Sequence, residues 1–183
     1  MNFENNKFIP YGKHEINQAD IDCVLKVLQG DFLTQGPKIQ EFEDSINKFV
    51  GSKYCVVTNS ATSALHIACL ALGLKRNDYV WTSPITFVAS ANCALYCGAK
   101  IDFVDIEKTT GLMCINSLKT KLIAARKSGK LPKILIPVHL AGSSCDMESV
   151  GKLAKEYGFS VIEDASHAIG GEYKSNKVGN CKF

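Results

Sequence analysis

The chain has 183 residues, 46% of them hydrophobic and 21% charged, the balance of an ordinary globular protein and not of a disordered or fibrous one. Its 21 Lys and Arg against 18 Asp and Glu leave a net charge of +3, spread along the chain without the basic stripe that nucleic-acid binding requires. The apolar runs are too short to span a bilayer and residues 1–8 carry no apolar signal region, so neither nucleic acid nor membrane is an expected partner, and a cytoplasmic location is expected.

In chain order, Asn17 precedes Ile21, Val24, Leu25 and Leu28 at helical spacing, with Gly30 as the stop. Ile39, Phe42, Ile46 and Val50 then share one helical face before Gly51. This predicts an N-terminal helical segment over 1–30, ahead of a larger domain over 31–183. From there short β-branched or aromatic runs alternate with helical ones. Strands are expected at 54–58, 79–81, 101–104, 134–138 and 159–162. Helices are expected at 61–72, 87–97, 117–125 and 147–157, and a polar hairpin at 173–178. Apolar strands separated by helices predict an α/β fold, a mostly parallel sheet flanked by helices on both faces. The eight cysteines fall in apolar segments, as at Cys55, Cys69, Cys93 and Cys97, without a CxxC unit. Cys93 and Cys97, on one helix face, read as small buried hydrophobes, and the set gives no metal site or disulfide framework.

A sheet of this kind places its ligand where strand carboxyl ends meet helix starts. Three such junctions are chemically unusual. At Thr58-Asn59-Ser60-Ala61-Thr62-Ser63-Ala64, small hydroxylated residues open a helix and leave its first N–H groups available to an anion. A plain Ser N-cap is the simpler account of the same residues. At Thr82-Ser83-Pro84-Ile85-Thr86-Phe87, Pro84 ends the strand and Phe87 is placed to stack on a flat ring or to join the core. At Glu163-Asp164-Ala165-Ser166-His167, a buried strand ends in two adjacent carboxylates. Adjacent strand residues face opposite sides, so only one acid can reach a given ligand. Such an acid needs a cation or donors, although Asp164 can also serve as a helix cap. A phosphate cradle, a flat apolar lid and a buried acid along one sheet edge are the three parts pyridoxal 5′-phosphate requires, the acid holding a proton on the ring nitrogen.

The segments Leu33-Thr34-Gln35-Gly36-Pro37, Asn59 to Leu65, Ser83 to Ala89 and Glu163 to Gly170 resemble, in order and spacing, the sugar-nucleotide aminotransferases of the DegT/DnrJ/EryC1/StrS family. The likeness runs from about Phe8 to the end. It implies the large-domain portion of the fold-type I transferase fold, pyridoxal 5′-phosphate as cofactor, and amination of a nucleotide-linked 4-keto-6-deoxy sugar with L-glutamate as donor. By position it implies that Ala61 and Thr62 hold the phosphate, Phe87 stacks on the ring, Asp164 pairs with the ring nitrogen and His167 lies near the ring hydroxyl. Tyr11 and Thr34 match segments that approach the sugar. His139, at a strand end, reads as structural. Asn59 to Leu65, Thr86-Phe87 and Ser166-His167-Ala168 are most similar to the branch that serves pseudaminic acid biosynthesis. A homodimer is also implied.

One part of the family pattern is missing from these residues. The segment carrying the catalytic Schiff-base lysine is expected beyond Phe183; Lys182 lacks its context, and Lys174 and Lys177 fall in the polar hairpin. The chain therefore reads as an amino-terminal fragment, inactive alone. A dehydratase of the same family and a non-catalytic α/β module for a phosphorylated ligand stand as the alternatives.

Overall fold

The structure, a computed structural model, describes residue 10 and residues 12–180. Among these, α1 (Gln18–Leu28) and α2 (Pro37–Val50) come first, and the chain divides into two compact units, one ending at Glu41 and one beginning at Phe42.

In the first unit α1 starts where the sequence places it. Asn17 Oδ1 accepts from the N–H groups of Ala19 and Asp20, and the Asp20 carboxylate accepts from the Asn17 N–H, a reciprocal cap that satisfies the orphan donors of the first turn. The predicted stripe of Ile21, Val24, Leu25 and Leu28 forms on this helix and is exposed. The loop into α2 surrounds a cleft of about 700 Å³ whose lining includes Val27, Phe32, Leu33 and Thr34.

The second unit carries α3 (Ala61–Ala71), β1 (Tyr79–Thr82), α4 (Ala89–Tyr96), β2 (Lys100–Phe103), α5 (Ile115–Ser128), β3 (Ile134–Ile136), α6 (Met147–Tyr157), β4 (Ser160–Val161), β5 (Glu172–Tyr173) and β6 (Asn176–Lys177). The first four strands form one parallel sheet in the order β2-β1-β3-β4. Alternation along the strands sorts side chains between two layers. Val80, Ile134, Ile136 and Ile162 pack with Leu65 and Cys69 of α3 and Ala89 and Cys93 of α4. Trp81, Leu135 and Val161 pack on the other face with Leu118 and Leu122 of α5 and Val150 and Leu153 of α6. Cys69 and Cys93 are buried and Cys97 only half-buried; the contact with Cys93 and burial push the Cys69 thiol well above its ordinary value. β5 and β6 pair antiparallel through Lys174 and Ser175, both at positive φ, the two-residue turn that matches strand twist.

One expectation is corrected. Residues 54–58 are not in a strand; Tyr54 and Val56 are 76% and 78% exposed. Their β-branched and aromatic composition suits a strand, but a strand exists only through a paired neighbour, and among the described residues the segment is held instead by the Val57 N–H on Glu43 Oε1 at 2.8 Å. Helices cover both faces of the sheet, as expected. Lys100, Asp102 and Phe103 of the outer strand β2 are exposed, in keeping with the charges that protect sheet edges from further pairing.

At the amino ends of the strands, Asp78 accepts from Lys133 Nζ at 2.9 Å and from the Lys75 N–H at 2.8 Å. These donors, Lys133 foremost, hold its carboxyl below the ordinary carboxylate range. A carboxyl lowered in the folded state stabilises the fold above its unfolded value, and that contribution fades as pH falls past it. Asp78→Asn is therefore expected to flatten the acid limb of a melting-temperature profile below about pH 4 and to leave the alkaline limb unchanged.

At the carboxyl ends, the loop after β3 turns through Gly142 at φ +87°, where an added Cβ would stand 3.0 Å from the His167 carbonyl oxygen. Gly142→Ala is expected to destabilise the fold by about 1 kcal/mol or more, from backbone strain and this close approach, read as a lower urea midpoint at unchanged slope.

Candidate active site

The pairing of β3 and β4 continues past the named strands. Asp164 N–H donates to the Pro137 carbonyl and His139 N–H to the Asp164 carbonyl, both at 3.0 Å. This carries both strand ends out to the rim in register and sends the two adjacent acids to opposite faces, as alternation requires.

Glu163 turns to the α5/α6 side, where its Oε2 lies 2.7 Å from His139 Nε2. His139 is buried, and its Nδ1 accepts from the Cys145 N–H at 3.2 Å. Burial disfavours a charged imidazole and Glu163 favours one. Nδ1 decides between them, since a proton there would face the Cys145 N–H; the neutral ring with its hydrogen on Nε2 satisfies both contacts. His139 thus has a structural place, tying the loop after β3 to the end of β4.

Asp164 turns to the α3/α4 side and is 6% exposed. Its Oδ1 accepts from the Ser166 hydroxyl at 2.7 Å and the Ser166 N–H at 3.3 Å, and its Oδ2 accepts from Ser90 Oγ at 2.5 Å. A carboxylate offers about four lone-pair positions. Among the described residues three are filled, and the fourth, on Oδ2, has no donor.

Two helix starts converge on the same rim. The carboxyl end of α3 lies by the amino ends of the strands, where the Leu74 N–H returns to the Cys69 carbonyl and Lys133 reaches the Gly73 carbonyl. Its amino end therefore points toward the rim that holds Asp164. There Ser60 caps the helix: its Oγ takes the Ser63 N–H at 3.2 Å and its carbonyl takes the Ala64 N–H at 3.1 Å. The N–H groups of Ala61 and Thr62 remain without a partner among the described residues. These are donors at the positive end of a helix, suited to a phosphate. α4 opens at Ala89, two residues later than foreseen, so Phe87 stays in the preceding turn with its ring 73% exposed.

Phe87 and Asp164 meet through one residue, because Ser90 Oγ is 3.2 Å from the Phe87 carbonyl and 2.5 Å from Asp164. His167 is exposed on the loop after Asp164. Thr34 belongs to the first unit, and Tyr11 lies outside the described residues. Lys174 is exposed and Lys177 half-buried, and they are ion-paired with Glu148 and Glu172; Lys182 lies outside the described residues. Sequence reasoning did not single out Ser90 or Ser166. The second was available from the Asp-x-Ser spacing of an Asx turn; the first comes from a helix 74 residues away.

Residues 14–182 match the DegT/DnrJ/EryC1/StrS aminotransferase family. The chain belongs to this family. Among its relatives, the UDP-4-amino-4,6-dideoxy-N-acetyl-beta-L-altrosamine transaminase of Campylobacter jejuni subsp. jejuni serotype O:23/36 is 44% identical over 172 residues, covering 94% of this chain and 44% of that protein. The structure of Helicobacter pylori PseC, an aminotransferase involved in the biosynthesis of pseudoaminic acid, is 36% identical with a TM-score of 0.82, over 92% of this chain and 44% of that one. Spr1654 of Streptococcus pneumoniae in its PLP form is 28% identical with a TM-score of 0.84, over 93% and 46% of the two chains; a PMP form of the same protein is similar. The chain thus spans under half the length of the curated relatives it matches. Its fold is the mostly parallel, helix-flanked sheet of the fold-type I aminotransferases in this family. Among the described residues no helix is long and apolar enough to cross a membrane.

Proposed function

We propose that this chain is the cofactor-binding part of a pyridoxal phosphate-dependent aminotransferase that delivers an amino group from L-glutamate to a nucleotide-linked 4-keto-6-deoxy sugar, within pseudaminic acid or a related surface-glycan synthesis. In this reading 1–30 is an N-terminal helical segment, 31–183 is the large domain, and the protein is a cytoplasmic homodimer. The observation that carries it is the open lone pair of Asp164 at the rim of a parallel sheet, on the same face as the uncommitted amides that start α3. An acid with three internal donors and one free acceptor position fits a ring N–H. Two free helix amides fit a phosphate. The names of the relatives supply the sugar and the amino transfer.

When bound, the coenzyme supplies an electron sink that lets an amino group pass between donor and sugar. The residues of this chain bind and orient it. Asp164 would hold the proton on the ring nitrogen, Phe87 would cover one ring face, Ala61 and Thr62 would grip the phosphate, and His167 would approach the ring hydroxyl. Tyr11 and Thr34 would face the sugar.

Pyridoxamine 5′-phosphate needs no lysine, so its equilibrium binding to this chain, followed by calorimetry, tests the reading. Binding is expected, and it should fall at least about tenfold for pyridoxamine, which lacks the charged phosphate that helix amides recognise. A phosphate-binding module without this chemistry would instead let inorganic phosphate compete equally and would not distinguish the ring. That result, or no binding at all, would overturn the proposal.

A further inference from the structure

Asp164 does not aim itself. Ser90 Oγ, fully buried on α4, has one hydrogen and three acceptors in reach: Asp164 Oδ2 at 2.5 Å, the Thr86 hydroxyl at 2.7 Å and the Phe87 carbonyl at 3.2 Å. The shortest, charge-assisted contact takes it. The Thr86 hydroxyl lies 2.7 Å from the same Ser90 oxygen. With the Ser90 hydrogen committed to the acid, Thr86 must donate to Ser90. The direction of the chain is therefore fixed, from Thr86 to Ser90 to Asp164. Ser90 N–H is also bonded to the Phe87 carbonyl at 3.2 Å, so one residue holds both the acid and the turn that presents the exposed aromatic ring.

We infer that Ser90, oriented by Thr86, is a positioning residue that occupies one lone pair of Asp164 Oδ2 and so aims the other at the ring nitrogen of the cofactor. This rests on the function proposed above and adds to it a relay of two hydroxyls. Its consequence is specific. Losing the Thr86 hydroxyl removes the donor that polarises and orients Ser90, so the Ser90 bond to Asp164 Oδ2 weakens and that oxygen is held less firmly. The ring nitrogen meets a carboxylate that is less well directed, and its proton is held less firmly.

The test uses this chain with pyridoxamine 5′-phosphate labelled with ¹⁵N in the ring, whose chemical shift reports whether that nitrogen carries a proton. Thr86→Val is expected to weaken binding about three- to tenfold and to lower the pH at which the bound ring loses its proton. Thr86→Ser is expected to restore both. Ser90→Ala is expected to act more strongly, and Thr86, only partly buried, decides the matter if that variant does not fold. Wild-type affinity and an unchanged ¹⁵N titration in Thr86→Val, or failure of Thr86→Ser to rescue, would overturn the relay. The functional reading would survive that result provided Asp164→Asn still weakened binding at least about tenfold. An unmodified chain that binds no pyridoxamine 5′-phosphate would remove both.

Discussion

Asp164→Asn is expected to weaken pyridoxamine 5′-phosphate binding about ten- to hundredfold, the usual range for losing a hydrogen bond to a charged group, in a protein that still melts cooperatively. The asparagine keeps a carbonyl oxygen for the two Ser166 donors. Its amide group toward Ser90 is accommodated because Ser90 can turn its hydrogen to the Phe87 carbonyl. What is lost is the negative charge and the open lone pair facing the ligand. Asp164→Ala removes the acceptor of three donors at once, leaves the two Ser166 donors without it, and is expected to destabilise the fold by a further 1–3 kcal/mol or so. Calorimetric titration of both variants beside thermal melts separates the effects. Equal affinity in Asp164→Asn and the unmodified chain would mean that the acid has no part in holding the ligand.

The largest stability effect is expected at Trp81, the single tryptophan of the chain. It is 1% exposed in the layer between β1 and α5, with Lys121 Nζ 5.0 Å from its ring centre. Trp81→Ala should lower unfolding free energy by about 3–5 kcal/mol, the combined loss of apolar burial and the cavity left behind. Trp81→Phe should cost far less, about 1.5 kcal/mol or under. Its Nε1 has no hydrogen-bond partner among the described residues, so the smaller ring gives up packing and no hydrogen bond. Urea unfolding followed by far-ultraviolet circular dichroism compares the two without relying on the fluorophore. Similar losses in both variants would point to a hydrogen bond at the indole nitrogen.

The parallel sheet and its helices were legible because their signals are local. Asn17, Ser60 and Asp146 each accept a first-turn N–H at the start of a helix, and Gly129 and Gly158 end helices in the left-handed conformation. The segment 54–58 misled for the opposite reason: its residue types favour a strand, while strand formation depends on a neighbour that no local pattern reveals. The site divides in the same way. Asp164 stands out as an acid ending a buried run, and its turn with Ser166 is written within three residues. Ser90 looks like any small residue of an apolar helix until the fold sets it against Asp164.

The opposite commitments of Glu163 and Asp164 have a consequence for how errors in this fold would propagate. A slip of one residue between β3 and β4 would exchange the two acids, presenting the longer side chain to Ser90 and the shorter one to the imidazole of His139. Neither would then reach its partners at the observed spacing. The His139–Glu163 contact is thus available only to the native alignment of these strands, with or without a ligand.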